Sequence, residues 1–213
     1  MKIKLDSWTI VIVGLWNTYI FSPDWLAKSL LGREEIAIEF LIATGKPQVR
    51  FSTDQLIFAA VEDKIVIAPK DSKDQTLSEV ERVAKRLIEL LPHTPVSGIG
   101  INMGFTVDEL PPAVLRSFAL EDTHKLSAEG ITIENTDIVR RLRTEDELVN
   151  LRIASGATSS PELHFNFHRD ILANASTSDK LLPLTSRILR CRDFAYGLLD
   201  RVYDLRLEQG DNA

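Results

Sequence analysis

Two histidines, His164 and His168, stand four apart in the segment ELHFNFH. On a helix that spacing lays two imidazoles about 6 Å apart, where they could share a zinc ion. The residues around them argue against a helix. Leu163, Phe165 and Phe167 alternate with His164, Asn166 and His168, which is the period of a strand with one apolar and one polar face. On a strand the two histidines are about 13 Å apart, too far for one metal. Asn166, between them, is a poor zinc ligand, so no metal centre is expected.

The polar face itself remains a candidate. If the preceding strands pair in register with this one, Asn150, Arg152, Arg141 and Arg143 fall near His164, Asn166 and His168. Arginine forks beside histidines suit a carboxylate, a phosphate or an RNA backbone. The candidate ligand-binding set is therefore Arg141, Arg143, Arg152, His164, Asn166 and His168, with Asn102 joining from a glycine-rich stretch. Charge balance supports a blander reading as a solvated outer face. The arginines at 140, 141, 143, 152 and 169 are matched by the acids at 145, 146, 147, 162 and 170.

The stretch LPHTPVSGIGINMGF (91–105) poses a second chemical question, because closely spaced glycines can cradle phosphate. A dinucleotide fingerprint runs strand, glycine turn, helix. Here a helix and two prolines come first, and FTVDELPP follows. Ile99, Ile101, Met103 and Phe105 share one strand face, while Gly98, Gly100, Asn102 and Gly104 share the other. A face this bare is expected where a helix or a second backbone comes close. Asn102 is either bonded to a neighbouring backbone or a ligand contact.

The same stretch resembles the L-P-x-T-P-[IV]-x-x-x-G-[IV]-N segment of a family of uncharacterised bacterial proteins. In these a strand pair and a helix precede it, and FSTDQLIFAAVEDKIVIAP corresponds to the strands here. The resemblance covers residues 51–105 and implies a structural motif, with no activity and no functional residue attached.

Nothing singles out a catalytic group. The chain has no G-x-S-x-G, no H-E-x-x-H and no Walker-type glycine loop, so no catalytic residue and no cofactor is assigned. The lone cysteine, Cys191, sits inside a helical pattern and reads as a packing residue; one thiol fits a reducing compartment. A net charge of −6 and a pI near 5.3 weigh against a general nucleic-acid binder. The apolar run 8–16 is far short of a membrane span, and no small-residue cleavage site follows it. The expected location is cytoplasmic, with no membrane association.

The elements that position these residues follow from pattern. A strand at 9–15 leads to a helix with Ser22 as N-cap, Pro23 in the first turn and Gly32 as its stop. EEIAIEFLIA, QVRFST, QLIFAAVE and KIVIAP read as antiparallel neighbours, with Glu62-Asp63 as a turn. Thr76 and Glu79 form a capping box that opens a long helix to 91. A short helix at 112–120 precedes the polar connection EDTHKLSAEG, which marks a boundary between residues 1–120 and 121–213. Three further strands form a meander with EDE and ATSSP as turns, and a terminal helix spans 179–207 before a disordered tail. Leu181, Leu184, Ile188, Cys191, Ala195, Leu198, Val202 and Leu205 run along that helix at spacings of three and four, either as core or as a homodimer contact.

The expected fold is α+β: mostly antiparallel strands in two similar halves, each covered by a long helix and packed as one body. The expected function is a non-enzymatic cytoplasmic interaction or assembly protein that binds itself or another protein. The alternative is a module for an anionic small ligand or RNA on the arginine–histidine face.

Overall fold

The computed structural model describes residues 1–43, 46–61, 63–118, 122–144, 148–156, 159–171 and 178–208. Its strands are β1 (Lys2–Gly14), β2 (Ala37–Ala43), β3 (Lys46–Ser52), β4 (Leu56–Val61), β5 (Lys64–Pro69), β6 (Val96–Thr106), β7 (Asn135–Arg143), β8 (Leu148–Gly156) and β9 (Glu162–Asp170). They form one antiparallel sheet of 9 strands in the order β2-β3-β4-β5-β1-β6-β9-β8-β7. The class is α+β, as expected. Of the anticipated turns, Glu62 of Glu62-Asp63, all of 145–147 and the first two residues of ATSSP lie outside the described residues, as does the tail from 209.

Alternation assigns each side chain to a face. Ile10 and Ile12 of β1, Ile65 and Ile67 of β5, Ile99 to Phe105 on the odd positions of β6, and Leu163, Phe165 and Phe167 of β9 are buried on one side. Helices cover that side. The helix α1 starts at Pro23, capped by Ser22 Oγ, which accepts from the Trp25 N–H at 3.3 Å. From Leu26 to Leu31 it widens into a π-helix and ends at Gly32 with φ 65°. The wider turn lets Leu26, Ala27, Leu30 and Leu31 all reach the core.

The helix α2 (Asp74–Leu90) buries Leu77, Val80, Val83, Ala84, Leu87 and Ile88. Its start corrects the capping-box expectation. The N-cap is Lys73, whose N–H donates to Asp71 Oδ1 at 3.0 Å. Thr76 is buried within the first turn, and Glu79 instead clasps Arg82. Burial of the Thr76–Leu77 edge of the helix outweighs the local cap.

Two short helices follow, α3 (Pro112–Phe118) and α4 (Thr123–Ala128), the latter within the stretch expected to be plain connection. The terminal helix is two helices, not one: α5 (Ser178–Thr185) contains Pro183, and α6 (Ile188–Tyr203) starts afresh after Arg187. Proline removes an intrahelical donor and crowds the preceding turn, so continuity is weakest here. Along α6 the buried line is Ile188, Cys191, Ala195, Leu199 and Tyr203, while Val202 is 53% exposed. A heptad seam would keep Leu198 and Val202 inside; the observed drift to Leu199 and Tyr203 is that of a straight helix on a sheet. No helix among the described residues is long and apolar enough to cross a membrane.

The new helix start needs a cap, and Arg187 supplies no side-chain bond to it. The Leu189 N–H donates instead to Glu81 Oε1 of α2 at 3.3 Å. Burial raises the Glu81 pKa, opposed by backbone bonds from Leu189 and Ile188. An acid that holds its proton more tightly folded than unfolded favours the native state as pH falls from neutrality towards its raised pKa. Glu81→Gln keeps an acceptor but cannot titrate, so in urea titrations the wild type should gain on this variant between pH 7 and pH 5. Glu81→Ala removes the acceptor and should cost about 1 kcal/mol. A wild-type-to-Gln gap that ignores pH would show that Glu81 does not couple the helices in this way.

Candidate functional site

The helix-free face of the sheet gathers every candidate residue. Pairing places Thr9 of β1 opposite Asn102 of β6, Asn102 opposite Asn166 of β9, Asn166 opposite Asn150 of β8, and Asn150 opposite Arg141 of β7. This is one row across five neighbouring strands. Its amides are joined: Asn150 Nδ2 donates to Asn166 Oδ1 at 3.4 Å, Asn166 Nδ2 to Asn102 Oδ1 at 2.7 Å, and Asn102 Nδ2 to Thr9 Oγ1 at 2.9 Å. All three bonds point the same way, so each polarises the next. Asn102 is thus half-buried and bound by side chains, which corrects the expectation of a backbone partner.

The glycines of β6 make room for this row and its flanks. A Cβ on Gly98 would lie 3.2 Å from His168 Cε1, and one on Gly104 would lie 3.2 Å from His164 Cε1 and 2.7 Å from Ser7 Cβ. Among the described residues, no helix atom is among the nearest neighbours of a Cβ placed on Gly98, Gly100 or Gly104, and the one backbone atom is the Arg169 carbonyl oxygen, 3.5 Å from that of Gly98. Imidazole and amide groups from β9 lie across the bare face instead.

Each histidine has a carboxylate two residues away on the same strand face. His164 Nε2 is 2.8 Å from Glu162 Oε2, and His168 Nε2 is 2.8 Å from Asp170 Oδ1. Lys4 of β1 reaches Glu162 Oε1 at 2.5 Å, across β6. The Lys4 hydrogen bond, and then that of His164, hold the Glu162 carboxyl below the usual range. Arg152, opposite His164 in register, grips both oxygens of Asp137 at 2.9 and 2.8 Å. Arg141 and Arg143 stand on the edge strand β7, and neither makes an ion pair among the described residues.

Strand pairing thus brings Arg141, Arg143, Arg152, His164, Asn166 and His168 onto one surface and adds Asn102, which the sequence left on a separate strand face. Sequence reasoning missed the groups that hold them. Glu162 and Asp170 were legible, because the alternation that exposes His164 and His168 simply extends one step at each end. Lys4, Asp137 and Thr9 needed strand register. Chemically the face is a flat array of amides and matched ion pairs. Among the described residues no group of three or more histidine, cysteine or acidic side chains is placed to hold a metal. Cys191 is buried in the core on the opposite side, and burial pushes its thiol up to about 12, so it stays protonated.

The glycine spacing generates a contrast that can be measured. Gly104→Ala drives a methyl into Ser7 and should destabilise by about 1–3 kcal/mol in chemical denaturation. At Gly100 the nearest atoms, Asn166 Nδ2 and His168 Nδ1, are both 3.6 Å from an added Cβ, an ordinary contact. Gly100→Ala should therefore change stability by less than about 1 kcal/mol, and equal losses at both positions would contradict this packing. No family model matches the chain, and no curated protein is significantly similar to it.

Proposed function

We propose that this chain is a self-associating assembly protein of the cytoplasm, in which two copies join through strand β2. The observation that carries the reading is the contrast between the sheet's two edges. At one end β7 presents Asp137, Arg140, Arg141 and Arg143, charges of the kind that keep an edge from pairing with another chain. At the other end β2 reads AIEFLIA, with Glu39 as its single charge and no proline. Beside it the helix-covered face runs out. Ile38, Phe40 and, opposite Phe40 on β3, Val49 are 44%, 72% and 39% exposed.

The strand is also complementary to itself. Two copies of β2 set antiparallel about Phe40 match Ala37 with Ala43 and Ile38 with Ile42, as a twofold axis requires. Such pairing extends both sheets and brings the two uncovered apolar stripes together. A single thiol, buried in the core, fits a reducing compartment. The strand order supports a two-half organisation, because the strands of residues 1–120 are contiguous and those of 121–213 follow them.

The anion or RNA reading of the arginine–histidine face has less support. Arg152, His164 and His168 already face carboxylates, which an incoming anion would have to displace.

Light scattering and native mass spectrometry test the assembly reading. The wild type should be a dimer. Phe40→Lys, which sets two ammonium groups across the axis, should weaken association about 100-fold or more while leaving the melting curve in place. Val202→Lys, on the exposed side of α6, should remain dimeric. A wild type that is monomeric at about 50 µM, or a dimer broken only by Val202→Lys, would overturn the proposal.

A further inference from the structure

The strand β1 contains an irregularity that the fold alone does not require. Lys4 pairs with Gly104 and Thr9 pairs with Asn102, so Leu5, Asp6, Ser7 and Trp8 all stand opposite Met103. Such bulges bend a strand and re-aim its side chains, and they recur beside binding sites. Trp8 turns into the core, where its Nε1–H donates to the Gly104 carbonyl at 3.0 Å. Leu5 and Asp6 instead form a wall over the helix-free face. Pairing of β1 with β5 covers only Ile10 to Val13, so β5 parts from the bulge beyond Ile67. A groove of about 730 Å³ opens there, over β3, β4 and β5, a volume in the range of small-molecule sites.

Its floor and rim have distinct chemistries. Ile57, Ala59, Val66 and Ala68 pave the floor, cross-strand neighbours on β4 and β5 with short or flat profiles. Arg50 stands beside Ala59 in register, and Lys64 and Lys70 complete a cationic rim, with Asp6 the one acid among the described lining residues. Lys70 is fixed by its bond to Ser52 Oγ at 2.5 Å. Arg50 makes no ion pair among the described residues, although Glu39 lies across from it on β2.

The amide row ends in this groove. Thr9 Oγ1 accepts from Asn102, which leaves the Thr9 hydroxyl proton to donate to whatever lies over it. The groove therefore presents hydrogen-bond donors, three cations and an apolar floor. The geometry points to a binding site for a small organic carboxylate with a flat apolar body. The body lies on Ala59, Val66 and Ala68, and the carboxylate is gripped by Arg50 with Lys70 beside it, while Thr9 bounds the groove on the far side, on β1. An arginine fork matches a planar carboxylate better than a lysine ammonium does.

Calorimetric titration with 1-naphthoate, and with its neutral counterpart 1-naphthamide, tests the assignment. The expected result is one saturable site per chain for naphthoate, with naphthamide and the Arg50→Ala variant each weaker by roughly tenfold or more. Ala68→Phe, which fills the floor from the helix-free side, should abolish binding with the melting temperature kept. Because Arg50 and Ala68 lie outside the buried core, retained melting curves separate lost binding from lost folding. Equal binding of naphthoate and naphthamide would overturn the carboxylate assignment. Absence of saturable binding at millimolar naphthoate, or binding that survives Ala68→Phe, would overturn the site.

Discussion

The strand β6 is paired along both edges, to β1 and to β9, and it carries almost nothing on its helix-free face. That constraint organises the molecule. On one side Ile99, Ile101, Met103 and Phe105 pack beneath the helices, with the Phe105 ring edge-on to Trp8 and Phe165. On the other side the missing side chains let His164, Asn166 and His168 lie flat across the neighbouring strand. Polar groups that would project into solvent from an ordinary sheet become part of its packed surface. The histidines bond to carboxylates of their own strand and Asn166 to amides on the strands either side, and the face becomes ordered through the same contacts that neutralise the imidazoles.

The two surfaces given functional weight lie apart. The uncovered stripe of Ile38, Phe40 and Val49 is on the helix side of the β2–β3 edge, whereas the groove opens on the opposite side. Pairing through β2 would leave the groove's mouth accessible. The two meet only where Glu39, on the edge strand, faces Arg50, one strand inward. A change in the edge would be felt at the rim through that cross-strand pair.

Much of the fold was legible because strand alternation is a strong signal. ELHFNFH, GIGINMGF and KIVIAP all became strands with the expected faces. Gly32 and Ser22 ended and began α1 as their chemistry dictates. What stayed hidden depended on contacts between distant segments. The bulge at Leu5 to Trp8 exists only relative to β6, so the alternation within residues 2–8 gave no warning of it. The break at Ser186 and Arg187 interrupts a stripe whose spacing looks continuous, because burial of α6 follows a straight helix on a sheet. The start of α2 moved because burial of Thr76 outweighed a local capping pattern. At the site, residue types were visible and their partners were not, since Lys4 meets Glu162 only after β1, β6 and β9 align.

The central position of β6 also dictates an order of events during synthesis. Its partner on one side, β1, has already emerged, but β9 must wait until residues 107–161 have been made. At ~5–20 residues per second that interval lasts seconds. Throughout it the nascent sheet has two raw edges, β2 and the glycine-rich β6, with no imidazoles yet lying over the latter. The histidine-bearing strand therefore closes a vulnerable intermediate, and translation speed through the intervening segment governs how long that intermediate can be captured by a neighbour.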